Sequence, residues 1–149
     1  MKFIMTTLKG RDGSVGKVLV NIHAIENIMM QEGKLVAFLH SPGGNSLKGA
    51  LLEALSEHTE TKSLIIVDPS YEALKREIIS TEDGFVEFFL RNKGNDTYNP
   101  ALINIHYIEA VQKGEGEYEG ETMLITSDNH GVFFARGSFE SHIKHFIGE

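Results

Sequence analysis

The stretch Asn21-Ile22-His23-Ala24-Ile25-Glu26 returns as Asn104-Ile105-His106-Tyr107-Ile108-Glu109, with five of the six residues identical. The text on both sides runs in the same order. Upstream, Phe3 to Lys9 lines up with Phe85 to Arg91; downstream, Leu64 to Glu72 lines up with Val132 to Glu140. An echo with matching flanks is the mark of an internal duplication. The first copy is longer, and its extra residues sit mainly at 42–62.

β-branched and aromatic composition in Lys2 to Leu8 and alternation in Val18 to Ile22 predict strands, and Lys34 to His40 and Thr122 to Thr126 read as the next ones. Leu64 to Val67 and Val132 to Ala135 are apolar at every position, which predicts strands covered on both faces. Each run leads into a predicted helix, with stripes at Tyr71, Leu74 and Ile78 and at Phe139, Ile143, Phe146 and Ile147. The expectation is an α+β fold, a single domain over 1–149. Two pseudo-symmetric β-β-β-β-α repeats (1–80, with a helical insertion at 42–62, and 81–149) share one core with mainly antiparallel strands.

With no cysteine, disulfides, thiolate metal sites and a catalytic thiol are excluded. No apolar stretch approaches bilayer-spanning length and no leader pattern opens the chain, so a soluble, cytoplasmic protein is expected. The net charge of −7 is uneven: residues 1–80 carry 9 basic and 9 acidic side chains, and 81–149 carry 5 and 12. The Glu115, Glu117, Glu119 and Glu121 series reads as a mobile, solvated hairpin loop. Because Lys and Arg supply most affinity for phosphate backbones, this balance argues against nucleic acid as a partner.

Several residue groups invite a chemical reading. Leu47, Leu51 and Leu55 fall on one stripe of a predicted helix over 46–57, a candidate contact for a protein partner or a second copy. His23, Glu26, His106 and Glu109 occupy equivalent positions and could line a groove between the repeats, where a His–Glu pair is competent for proton transfer. His142 and His145, three apart and near His130, are candidate metal ligands without a recognisable third partner. Gly43-Gly44-Asn45-Ser46 lacks the pattern of a nucleotide loop, and Ser70 and Ser138 read as helix caps. No cofactor motif and no small-molecule site is recognisable.

Each copy resembles the small FlbD-like proteins associated with flagella, through Val20-Asn21, Ile25-Glu26 and Val67 to Glu72, and through Ile103-Asn104, Ile108-Glu109 and Ser138-Phe139-Glu140. In the second copy, Ile105-His106-Tyr107-Ile108-Glu109-Ala110 is similar to the front half of a LytTR-type DNA-binding domain. The first expectation for function is a non-enzymatic binding or assembly module. The alternative is a LytTR-like nucleic-acid-binding regulator, and a third is a His-based metal protein or enzyme.

Overall fold

The computed structural model describes residues 3–10, 12–40, 63–92, 96–126 and 132–147, with the backbone of 56–58. The chain divides into two compact units, Met1–Asp83 and Gly84–Glu149.

The first unit holds β1 (Phe3–Lys9), β2 (Val15–Asn21), β3 (Ile25–Gln31), β4 (Lys34–Leu39), β5 (Ser56–His58) and β6 (Ser63–Asp68). These strands lie in the order β2-β1-β6-β4-β3, and β5 pairs with β6 beside Ser63 and Leu64. Alternation along β1 buries Ile4, Thr6 and Leu8 and leaves Phe3 and Met5 outside. The β3–β4 hairpin closes through Glu32 and Gly33, both at positive φ (49° and 79°), the backbone of a tight turn that matches strand twist. Helix α1 (Tyr71–Thr81) follows β6. The Ser70 hydroxyl accepts the Ala73 N–H at 3.3 Å, and Tyr71, Leu74 and Ile78 form the buried stripe.

The second unit holds β7 (Phe85–Arg91), β8 (Tyr98–Asn104), β9 (Ile108–Lys113), β10 (Glu121–Thr126) and β11 (Val132–Arg136), ordered β8-β7-β11-β10-β9. This repeats the connectivity of the first unit strand for strand. Its closing helix is split into α2 (Phe139–His142) and α3 (Lys144–Ile147), with Ser138 capping the first piece through the Ser141 N–H at 3.2 Å.

The α+β expectation with four-stranded repeats is therefore corrected. The described structure is mostly antiparallel sheet, and helix is confined to α1 and two four-residue pieces. The missing strands are β3 and β9, which begin at Ile25 and Ile108, within the duplicated motif. Ile25 and Ile28, three apart, imitate helical spacing, but both are buried from within a strand whose Glu26 and Asn27 are buried too. The predicted helix over 46–57 also fails at its end, since Ser56 to His58 is a strand. Leu47, Leu51 and Leu55 lie outside the described residues.

Candidate functional site

The duplicated motif forms the same object twice. After β2 and after β8 the chain makes one 3-10 turn, Ile22–Ala24 and Ile105–Tyr107. The preceding Asn caps it: Asn21 Oδ1 accepts the His23 N–H at 2.9 Å and Asn104 Oδ1 the His106 N–H at 3.1 Å. The side chains then diverge. His23 Nε2 lies 3.0 Å from a carboxylate oxygen of Glu82, at the end of α1, whereas the His106 ring packs edge-on against Tyr107 at 5.1 Å. Glu26 is buried and meets His40 Nδ1 at 2.9 Å; Glu109 is exposed on β9. The pair formed by buried Glu26 and partly exposed His40 links β3 to the end of β4, a partner that sequence spacing did not suggest.

His142 and His145 belong to an aromatic cluster over Phe88. Their ring centroids lie 5.3 and 6.0 Å from that ring, and Phe146 stacks on it at 6.3 Å. His142 Nε2 donates to the Arg136 carbonyl at 2.8 Å, leaving its buried Nδ1 without a partner. Burial, with His142 and Lys144 nearby, lowers the pKa of His145 from its ordinary value. Among the described residues no three His, Asp or Glu side chains are placed to hold a metal together.

The strongest ionic constellation in the second unit was not legible in the sequence. Glu121, assigned there to a solvated acidic loop, is 4% exposed. Arg91 donates through Nε to both its oxygens at 3.1 and 2.9 Å, and the Tyr98 hydroxyl donates to Oε2. The Arg91 guanidinium also reaches Asp96 at 2.8 Å, and the Arg136 guanidinium lies over the Phe89 and Tyr98 rings at 4.9 and 5.5 Å. Burial pushes the Glu121 carboxyl up, but the hydrogen bonds from Arg91 and Tyr98 outweigh it and hold the group below its ordinary range. The bond to Glu121, with burial, raises the Tyr98 phenol.

The first unit carries a cavity. It has a volume of about 640 Å³ and lies where the end of β1, the β3–β4 hairpin, β6 and the start of α1 meet. Its walls are apolar side chains such as Met30, Ile66 and Val67, with Ser70 and Tyr71 from the helix entry and two lysines, Lys9 and Lys34. The described lining residues include no Asp or Glu. Lys9, Lys17 and Lys34 are exposed and have no ion-pair partner within the described residues. Sequence reading missed Lys9 and Lys34 because they are 25 positions apart and only the register of β1, β6 and β4 relates them.

No protein-family model matches the chain, and no curated protein matches it. A solved structure similar to it is the LytTr DNA-binding domain of a methyl-accepting/DNA response regulator from Bacillus cereus, with a TM-score of 0.54, 14% identity, and 100% of each chain covered. The fold of this chain thus resembles a LytTr domain over its whole length, whereas the fragment noticed in the sequence lay in the second copy alone. This finding overturns the expectation that nucleic acid is a poor partner. That expectation rested on net charge, and phosphate contact requires cations on one face, not over the whole molecule. Among the described residues no helix is long and apolar enough to cross a membrane.

Proposed function

We propose that the chain is a nucleic-acid-binding module of LytTr-like fold that meets the phosphate backbone with the lysines of its first unit. The observation that carries this reading is the full-length likeness to a solved DNA-binding domain. Two features support it. The LytTR-like fragment Ile105 to Ala110 lies at the 3-10 turn and the start of β9. Lys9, Lys17 and Lys34, exposed and without an ion-pair partner among the described residues, all belong to the first unit, and residues 1–80 carry as many basic as acidic side chains.

The test is fluorescence anisotropy with labelled mixed-sequence duplex and single strands over a salt series. Binding is expected to be tightest at low salt and to weaken with a linear dependence of log affinity on log salt. Lys17→Gln is expected to reduce the magnitude of that slope by about 0.9 if the lysine neutralises one duplex phosphate. Failure to bind any strand at low salt, where the electrostatic term is largest, ends the reading.

A further inference from the structure

Strand register matches the two units position by position. Leu8, Ile66 and Leu35 sit side by side across β1, β6 and β4; Leu90, Ala135 and Thr122 form the same row across β7, β11 and β10. One step along each strand makes Lys9 the counterpart of Arg91 and Lys34 the counterpart of Glu121, and it sets Val67 against Arg136. Val15, opposite Lys9, answers to Tyr98, opposite Arg91. In the second unit these four positions hold a guanidinium, a carboxylate, a phenol and a second guanidinium, which bond or stack together. In the first unit they hold two lysines and two valines, and three of the four, Lys9, Lys34 and Val67, line a cavity.

The substitution of Lys34 for a carboxylate leaves the first unit with like charges where the second has an ion pair. We propose that the Lys9–Lys34 cavity binds a small organic anion, a carboxylate or phosphate ester on an apolar body, which supplies the negative charge that Glu121 supplies in the other unit. Its charged end meets the two ammonium groups, and its apolar part lies against Met30, Ile66 and Val67. Met30 and Val67 are 37% and 50% exposed, apolar surface that such a body would cover. The volume falls in the range of about 300–1,000 Å³ typical of ligand pockets, and apolar walls with a few convergent polar groups are their usual lining. The start of α1 at Ser70 and Tyr71 adds a field that favours an anion. A backbone phosphate of nucleic acid needs Lys9 and Lys34 but not the apolar wall, so it is the wall that separates this proposal from the nucleic-acid reading, which shares the two lysines.

Phenyl phosphate is the probe, with inorganic phosphate and benzyl alcohol as controls, each titrated by calorimetry and by amide chemical shifts. Saturable binding of phenyl phosphate is expected, shifting the amides of Gly10, Gly33 and Ser70. Each control is expected to bind at least about tenfold more weakly, since each lacks one half of the recognition. Lys9→Gln with Lys34→Gln, both exposed and unpaired, is expected to weaken phenyl phosphate by at least about tenfold at unchanged melting temperature. Equal affinity in wild type and double variant, shifts confined to residues elsewhere, or no saturation at millimolar probe overturns the proposal. Oligonucleotide retention on the same variants separates two sources of phosphate. If the double variant loses retention and wild type shows no saturable phenyl phosphate binding, the lysines serve polymer backbone only and the proposal fails. Absence of oligonucleotide binding with intact phenyl phosphate binding sustains it.

Discussion

The two units share one strand order and differ in almost everything that fills it. In the first, the closing helix runs 11 residues and buries Tyr71, Leu74 and Ile78, and the middle one of the three buried β1 positions is the small Thr6. In the second, the helix is broken at Ile143, and the equivalent β7 position is Phe88, 1% exposed, under the His142, His145 and Phe146 rings. A two-residue turn joins β3 to β4, whereas β9 and β10 are joined through a longer connection with its own 3-10 turn at Gly116–Tyr118. Connectivity survives such exchange because it depends on inward alternation and on one capped turn, each satisfied by many side chains. Polar chemistry does not survive, since each charged group needs a named partner.

The comparison can be broken most decisively at Phe88. Phe88→Ala is expected to cost about 3–5 kcal/mol, because the cluster above it cannot collapse into the void. Thr6→Ala, which loses the bond to the Val18 carbonyl at 2.9 Å, is expected to cost about 1 kcal/mol. Thermal melts of both variants decide the matter, and equal losses would mean that the two positions are not used differently. Next in size is Gly114, at the end of β9. A Cβ there would overlap the Tyr118 carbonyl oxygen and lie 2.8 Å from that of Glu121, so Gly114→Ala is expected to cost about 1–3 kcal/mol. At the matching place after Met30, Gln31 is exposed, and Gln31→Ala is expected to stay within about 0.5 kcal/mol in the same melts.

The smallest effect is a pH dependence. Glu121 is held below its ordinary value of 4.5, so its ionic contribution is complete above that value and is lost as pH falls through the lower folded-state value. Residue-resolved amide protection factors in β10 and β11, corrected for intrinsic exchange at each pH, are expected to fall below about pH 4.5 in wild type. In Glu121→Gln this part of the dependence should vanish, and if the profile is unchanged the carboxylate is not its source.

Much of the strand framework could be read in advance. Lys2 to Leu8 is rich in β-branched and aromatic residues, Ser70 stands at a helix start, and both Asn residues cap turns as their chemistry suggests. β3 and β9 could not be read, because Glu26 and Asn27 break the apolar alternation and Glu26 is satisfied by His40, 14 residues away. Glu121 looked like its acidic neighbours in the sequence, and what separates it is Arg91, 30 positions upstream. Lys9 and Lys34 follow the same rule. Local patterns announce elements, but the partner of a charge is chosen by register, which no short window contains.

The stacking of Tyr118 on Phe134, centroids 3.8 Å apart and rings 11° from parallel, has a practical side. The chain contains four tyrosines and no tryptophan, so its ultraviolet emission comes from phenol alone. Tyr98, Tyr107 and Tyr118 belong to the second unit and Tyr71 to the first. Tyr98 hands its hydroxyl proton toward a carboxylate, an arrangement that quenches phenol light, so loss of structure around β8 and β10 should brighten the protein without any attached dye.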